Sequence, residues 1–254
     1  MPALADNFGD DDWNMTLYDN CELPGGKNHY DLAKADSVYW SDKTKAGDSK
    51  LNFKLRRGDI GGCSSDKKRR HGAPFWERAE LKARTGLADE MVHKISFEAT
   101  FVKGFNGKRE TFFQIHGWSN SCPSAPWLMM KFSHRKMEIE VLRGAHEGNE
   151  DLDTGHRGEM VSILDNGPKI ADLKGVAQNF EIRLDRTVYP AEVSVSMNGK
   201  AVIPTTQIEH ETCGDPTVKL GIYRPGEINP GTSHIAFDDV KVTSVGSIQV
   251  SQLQ

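Results

Sequence analysis

A two-residue alternation of apolar and polar side chains is the feature of this chain that most restricts its fold. Residues 93–102 (HKISFEATFV) carry an unbroken apolar side, formed by Ile95, Phe97, Ala99 and Phe101. Successive side chains of an extended strand point to opposite faces, so this pattern fits a strand with one buried face. Helical periodicity is nearly absent from the sequence. The chain is therefore predicted to be all-β.

A hairpin is predicted where residues 191–197 (AEVSVSM) run into Asn198-Gly199. Asn-Gly between alternating strands is the strongest short-range signal for a two-residue β-hairpin. No repeat and no change of composition divides the chain, so one antiparallel β-sandwich domain is predicted over residues 1–254. Long loops rich in Gly, Asp, Asn and Pro are expected to carry function, at 58–74, 119–126 and 224–233.

Charge and hydropathy exclude several classes of protein. The formal net charge of −4 gives no reason to expect a nucleic-acid partner. No apolar run approaches the roughly 20 residues of a transmembrane helix, so no membrane association is expected. The first residues lack the basic and apolar segments of a signal peptide. We expect the chain to be the mature form of a secreted protein. We also expect it to be a monomer.

Four widely spaced cysteines without a CxxC pattern make a zinc site unexpected. An even number fits either two disulfides or four reduced thiols. If disulfides form, the preferred pairing is Cys21–Cys63 and Cys122–Cys213. The second bridge would tie the loop after 114–116 to the segment before residue 219.

Three predicted strands carry specialised side chains on their polar face. An ordinary solvated strand face is dominated by Ser, Thr and Asn, whereas these faces offer ionisable and amide groups. We expect one sheet of the sandwich to keep this wet, concave face. The side chains are Arg78, Glu80 and Lys82 from 75–84, Gln114 and His116 from 112–118, and Lys219 and Tyr223 from 218–225, where Gly221 would leave open space.

The same three segments resemble the strand motifs of the jelly-roll polysaccharide lyases. ERAELK (77–82) is similar to their Arg-x-Glu-Leu strand, QIH (114–116) to their Gln-x-His strand and KLGIY (219–223) to their Lys-x-Gly-x-Tyr strand, in the same order. Alginate lyases, heparin lyase I and glucuronan lyases share this pattern. The chain length is closest to a glucuronan lyase, and Lys82-Ala83-Arg84 departs from alginate lyases, which usually place Arg directly after Glu-Leu.

The resemblance implies a jelly-roll β-sandwich that cleaves a 4-linked uronic acid polymer, with β-1,4-glucuronan as the favoured substrate. In such an endo-acting lyase, β-elimination requires a neutralised carboxylate, a base for the C5 proton and an acid for O4. No cofactor is required for this chemistry. The alternatives are an alginate or heparin-type lyase, or a non-catalytic carbohydrate-binding β-sandwich with exposed tryptophan platforms.

Each catalytic task has a candidate by residue type. Gln114, His116 and Arg78 suit neutralisation of the carboxylate. Tyr223 suits the role of base and then acid when the C5 hydrogen and O4 lie on one side of the ring, with Lys219 favouring the phenolate. When these groups lie on opposite sides, His116 would be the base and Tyr223 the acid. The sequence leaves both stereochemical outcomes open.

The polymer also needs local positive charge in a mildly acidic protein. Glu80 is expected to orient Arg78 by a charge-assisted hydrogen bond. Further substrate-binding candidates are Lys82, Arg84, Lys131, Arg224, Trp118 and the basic loop 67–70.

Two further groups of acidic residues are candidates for a functional role. Asp239, with Asp19 as a partner ligand, is a candidate for a structural calcium site, since calcium prefers hard oxygen ligands. A solvated strand end is the competing interpretation. Glu138 and Glu140 share a strand face and weakly favour a glycoside hydrolase, which needs two carboxylates in the cleft.

Overall fold

The computed structural model describes residues 37–40, 50–63, 65–69, 72–83, 85–117, 126–143, 159–208, 215–226 and 231–246. Within these ranges the chain is almost entirely β-structure, with one four-residue helix, α1 (Ile170–Leu173). No helix among the described residues is long and apolar enough to cross a membrane. The all-β prediction is confirmed.

Thirteen strands occupy the described residues, numbered here in chain order. They are β1 (Val38–Trp40), β2 (Leu51–Leu55), β3 (Trp76–Lys82), β4 (Met91–Phe101), β5 (Glu110–His116), β6 (Pro126–Ser133), β7 (Lys136–Arg143), β8 (Glu159–Leu164), β9 (Ala177–Asp185), β10 (Ala191–Met197), β11 (Lys200–Ile208), β12 (Thr217–Pro225) and β13 (Ser233–Gly246).

Two antiparallel sheets form the sandwich. The first has seven strands in the order β1-β2-β13-β4-β9-β10-β11, and the second has six in the order β3-β12-β5-β6-β7-β8. The predicted hairpin joins β10 to β11, where Met197 pairs with Lys200. Asn198 and Gly199 both have positive φ, 52° and 73°, which is the backbone of a type I′ turn.

The core lies between the apolar faces of the two sheets. The predicted apolar side of β4 is buried as expected, and Phe97 stacks on Phe113 of the opposite sheet with ring centroids 5.1 Å apart. The register of β5 shifts between Thr111 and Phe113, so Phe112 and Phe113 both enter the core. Such a bulge places two consecutive side chains on one side and interrupts strict alternation.

A buried histidine connects the first sheet to the loop before β4. His93 is almost fully buried, its Nδ1 lies 2.8 Å from Ser244 Oγ and its Nε2 lies 2.7 Å from the Ala88 carbonyl oxygen. Because a carbonyl only accepts, Nε2 carries the proton, and the neutral ring satisfies both contacts. Burial lowers the pKa of His93 below its ordinary value of 6.5.

We predict that His93 makes the fold less stable in mild acid. Its pKa is lower in the folded than in the unfolded chain, so the unfolded chain binds the proton first as the pH falls below about 6.5. The unfolding free energy should therefore decrease there, and His93→Gln should show a smaller decrease. Thermal unfolding of both proteins between pH 8 and pH 4.5 tests this. Parallel curves would contradict it, because His234, a half-buried histidine whose pKa is also lowered by burial, contributes equally to both.

Candidate active site

The three strands with specialised polar faces are neighbours in the six-stranded sheet. In β12, Tyr223 pairs with Arg78 of β3, and Gly221 pairs with Glu80. On its other side β12 pairs with β5, which sets Lys219 opposite Gln114 and Thr217 opposite His116. The polar side chains of β3, β12 and β5 thus form one continuous surface, called the polar strip below.

A buried ionic network organises one end of the polar strip. Arg78 donates from Nε and Nη2 to both carboxylate oxygens of Asp66, at 2.8 and 2.9 Å, and from Nη1 to Glu80, at 2.8 Å. The other oxygen of Glu80 accepts a 2.6 Å hydrogen bond from Gln114 Nε2. Glu80 therefore orients both Arg78 and Gln114. The hydrogen bond that was expected between Glu80 and Arg78 is present, and the Glu80 carboxylate is buried.

Gly221 makes the link from Glu80 to Gln114 geometrically possible. β12 lies between β3 and β5, so the hydrogen bond between these two side chains crosses β12 beside Gly221. The φ of Gly221 is +142°, and a Cβ atom there would lie 2.2 Å from the Ala79 carbonyl oxygen. The predicted open space beside Gly221 is thus a close approach of two backbones, which only glycine permits.

The Tyr223 ring is held between two side chains of β3. The Trp76 ring stacks on it with centroids 4.8 Å apart, and the Arg78 guanidinium carbon lies 4.0 Å from its centroid. Stacking and cation–π contacts fix the plane of the phenol while leaving the side chain half-buried. No local pattern in the sequence predicts this supporting role of Trp76.

The charges of the polar strip alter the predicted role of Arg78. Its guanidinium faces two carboxylates, Asp66 and Glu80, so the three side chains together carry one negative charge. Arg78 is also buried. Both facts favour Arg78 as a positioning residue over direct neutralisation of a substrate carboxylate. Lys219 is the second buried cation of the polar strip and lies opposite Gln114.

His116 lies at the other end of the polar strip. Its Nδ1 is 2.6 Å from the Gly117 carbonyl oxygen, which requires a proton on Nδ1 and leaves Nε2 as the acceptor in the neutral ring. Along β5, Gln114 lies between His116 and the level of Tyr223. The amide is therefore closer to the Tyr223 network than the imidazole is.

Only some of the lysines and arginines that were predicted to bind the acidic polymer lie on the polar strip. Lys82 lies on the polar strip beside Lys219. Lys131 of β6 pairs with Glu140 of β7 at 2.5 Å and with Glu138 at 3.7 Å, so its charge is more than compensated. Burial is the main cause of the raised pKa of Glu140. The two glutamates are thus both engaged with a lysine.

Arg224 was wrongly predicted to bind substrate. Its side chain is fully buried and pairs with Glu77 at 2.6 Å and Glu110 at 3.0 Å, and it also contacts Ser233 Oγ at 3.0 Å. Arg224 follows Tyr223, so it points to the opposite face of β12. It holds β3, β5 and the start of β13 together and has no access to the polar strip.

Several predicted residues cannot be placed. Arg84, Trp118, Asp19 and residue 70 lie outside the described residues. Cys63 is disulfide-bonded. The other three cysteines also lie outside the described ranges, so the pairing stays a prediction. The exposed Asp239 lies 3.6 Å from Lys241, and no group of three potential metal ligands occurs among the described residues.

Comparison with known proteins establishes the fold. No protein-family model matches the chain, and no curated protein matches it. Three solved structures similar to it are a family 7 alginate lyase, A1-II′, in complex with a product (TM-score 0.59, 16% identity, 88% of this chain and 93% of that chain); alginate lyase AlyC3 (0.56, 15%, 95% and 96%); and an alginate lyase from Pseudomonas aeruginosa (0.52, 16%, 84% and 89%). This chain shares their β-sandwich jelly-roll fold.

We predict that Gly221→Ala destabilises the sandwich and disrupts the polar strip. The substituted residue would combine an unfavourable φ with a clash against β3, together costing roughly 2–3 kcal/mol. The melting temperature should fall by about 5 °C or more. Gly246→Ala is the matched control, since a Cβ there meets no atom within 4 Å. Equal melting temperatures for the two variants would contradict the close approach.

Proposed function

We propose that this protein is an endo-acting polysaccharide lyase that cleaves a 4-linked uronic acid polymer by β-elimination, with β-1,4-glucuronan as its substrate. One observation carries the proposal: a fixed phenol, Tyr223, and an oriented amide, Gln114, belong to one connected polar network through Arg78 and Glu80. The similarity of the fold to alginate lyases, which act on another uronate polymer, supports the same class of substrate.

Gln114 is suited to receive the uronate carboxylate. Glu80 accepts one hydrogen bond from Nε2, which fixes the amide so that its second N–H can be offered to an anion on the polar strip. A hydrogen bond to the carboxylate stabilises the negative charge that develops when the C5 proton leaves. His116, through Nε2, is a second donor to the same carboxylate when its ring is charged.

Tyr223 is proposed to transfer the proton in both steps. Its phenolate takes the C5 hydrogen, the C4–C5 double bond forms, the C4–O4 bond breaks, and Tyr223 returns the proton to O4. A single residue can do this for glucuronate because the two groups lie on one side of the ring. Lys219 is the cation proposed to favour the phenolate, since the charge of Arg78 is already offset by two carboxylates.

The basic loop is proposed to hold the polymer beyond the site of cleavage. Lys67, Lys68 and Arg69 are exposed and directly follow Asp66, whose carboxylate is bound to Arg78. This anchor places three cations beside β3, at the edge of the six-stranded sheet. Together with Lys82 they would attract an acidic chain to a protein of net charge −4.

Three further properties are proposals as well. They are secretion, a monomeric state, and a structural calcium ion bound by Asp239 and Asp19.

The alternative of a carbohydrate-binding module is less well supported. Sugar platforms require exposed tryptophan rings, and of the tryptophans near the motifs that the structure describes, Trp76 is stacked against Tyr223 and Trp127 is buried in the core. The hydrolase alternative relied on Glu138 and Glu140, and both are paired with Lys131. The polar strip therefore fits elimination better than either alternative.

We predict that the protein generates an unsaturated uronate from glucuronan. Incubation with glucuronan, alginate and heparin, followed by ultraviolet absorbance and product sizing, is the test. The absorbance should rise first and fastest with glucuronan, with a mixture of oligosaccharides appearing early. Binding without product would favour the carbohydrate-binding module, and new reducing ends without absorbance would favour a hydrolase.

We predict that Tyr223→Phe lowers kcat by roughly 10²–10⁴-fold, because general acid–base catalysis is lost. The ring contacts with Trp76 and Arg78 need no hydroxyl, so polymer binding and the melting temperature should be retained. Tyr189→Phe is the matched control, since Tyr189 is 65% exposed and lies in the first sheet's β9–β10 connection. A Tyr223→Phe enzyme that turns over as fast as the control would refute the assigned role.

A further inference from the structure

Three connections at one end of the sandwich carry an excess of positive charge. They are residues 102–109 between β4 and β5, residues 134–136 at the β6–β7 turn, and residues 165–175 around α1. Together they contain seven lysines and arginines but only two aspartates, a net formal charge of +5 in a chain whose total is −4. Such a local excess attracts anions even when the protein as a whole is acidic.

Backbone hydrogen bonds hold the three connections together as one surface. The Arg135 amide donates to the Gly107 carbonyl oxygen at 2.9 Å, and the Ile170 amide donates to the Arg135 carbonyl oxygen at 2.9 Å. Gly107 also packs closely on α1, since a Cβ atom there would lie 3.0 Å from Ile170 Cγ2. The cations therefore stand on a fixed base. The surface formed by residues 102–109, 134–136 and 165–175 is called the cationic end below.

Much of the charge of the cationic end is available to an external anion. Four of its cations are exposed, namely Lys103, Arg109, Arg135 and Lys169. In the described part of the chain, none of these four side chains forms an ion pair with a carboxylate. Of the two aspartates, Asp165 accepts a hydrogen bond from Asn166 at 3.1 Å. The positive potential of this surface is therefore not cancelled within the protein.

Positive charge is retained here at backbone positions that favour other residues. His134 and Arg135 are the two residues between β6 and β7, and their φ values are 51° and 66°. Asn-Gly is the preferred dipeptide for such a turn, and this chain uses it at 198–199. An arginine with positive φ lowers stability relative to glycine. The presence of Arg135, and of Arg109 with φ 51°, indicates that their charge serves a purpose other than folding.

The cationic end adjoins the polar strip at the level of Tyr223. Tyr223 pairs with Thr111 of β5, and Arg109 lies only two residues before Thr111. On β7, Lys136 lies two residues before Glu138 and on the same face of the sheet. Two residues span about 7 Å along a strand. A polyanion that leaves the polar strip toward these strand ends therefore meets the cationic end almost at once.

We propose that the cationic end is a second binding surface for the acidic polysaccharide, separate from the residues that act on the bond to be cleaved. Its lysines and arginines bind the carboxylates of distant sugar units and so hold long chains at the protein between cleavage events. This inference rests on the proposed function, because it takes the polymer of the polar strip as its ligand. A nucleic acid is disfavoured, since Phe105, the only Phe, Tyr or Trp of the cationic end, is fully buried and cannot stack on a base.

The test variant removes three cations without harming the fold. It combines Lys103→Gln and Lys169→Gln with His134→Asn and Arg135→Gly, which give the β6–β7 turn the dipeptide that the chain uses at 198–199. Because the strained arginine is lost, the melting temperature should rise by about 2–4 °C. A loss of binding can then not be attributed to unfolding.

The matched control removes three exposed cations of the seven-stranded sheet that are already paired. They are Lys94, 2.6 Å from Glu181, Arg183, 2.6 Å from Asp185, and Lys241, 3.6 Å from Asp239, each changed to Gln. Both variants are also made with Tyr223→Phe, so that affinity for glucuronan, alginate and single-stranded DNA can be measured by calorimetry without cleavage. Steady-state kinetics on long glucuronan and on a tetrasaccharide complete the comparison.

The test variant should bind long glucuronan about tenfold more weakly than the control at low salt, as expected for the loss of three exposed charge contacts. This difference should nearly vanish at about 1 M salt, where charges are screened beyond about 3 Å. The ratio of kcat/KM on the polymer to kcat/KM on the tetrasaccharide should fall, because the short chain does not reach the cationic end. Equal affinities of the two variants for glucuronan would overturn the inference.

Binding and turnover separate this inference from the proposed function. Wild-type protein that releases no unsaturated product from any uronan would refute the lyase proposal, whereas glucuronan binding that only the test variant loses would still support the second surface. An equal loss of kcat/KM on polymer and tetrasaccharide would overturn the inference, because these cations would then act at the cleavage site. Tighter binding of single-stranded DNA than of any uronan would overturn the assigned ligand.

Discussion

The bidentate ion pair between Arg78 and Asp66 is the contact on which the polar strip depends. It ties the basic loop to β3, and the same guanidinium supports both the Tyr223 ring and Glu80. A planar group with five donors in a fixed fork can make these contacts at once, which lysine cannot. Loss of the Asp66 side chain would leave a buried guanidinium with one carboxylate, while the loop would keep only its backbone link, the hydrogen bond from Trp76 N to the Asp66 carbonyl oxygen, in place of the ion pair. The arrangement therefore couples the placement of polymer-binding cations to the placement of the phenol.

Backbone geometry, in addition to the ion pair, determines how the side chains of the polar strip are oriented. Glu80 reaches Gln114 across β12 because Gly221 brings the two backbones close and adds no side chain. On β5, the bulge at Thr111–Phe113 sends two phenylalanines into the core and resets the alternation before Gln114. A regular strand would have set Phe112 on the same face as Gln114. The amide therefore owes its orientation to a departure from regular strand geometry on each of two neighbouring strands.

Local patterns in the sequence were sufficient to predict the fold and the polar strip. They were not sufficient to predict the tertiary contacts that hold the side chains of the strip in place. Alternation identified β4, Asn198-Gly199 identified a hairpin, and the shared parity of Gln114 and His116 identified a polar face. Asp66 was missed because a loop aspartate next to lysines has the sequence character of a solvated residue, and its pairing with Arg78 is a tertiary contact. Arg224 is a different kind of error. Strand alternation places it on the face opposite Tyr223, so its positive charge alone was not sufficient to predict that it binds substrate.

The polar strip contains several features that lower the stability of the fold. Gly221 has a φ that disfavours any side chain, Lys219 and Arg78 are buried cations, and Thr217 has a hydroxyl without a partner among the described residues. Each of these costs folding free energy, and all four residues lie on the neighbouring strands β3 and β12. Because groups that cost stability persist where function requires them, their grouping on the polar strip supports, independently of any resemblance, the proposal that the chemistry occurs there.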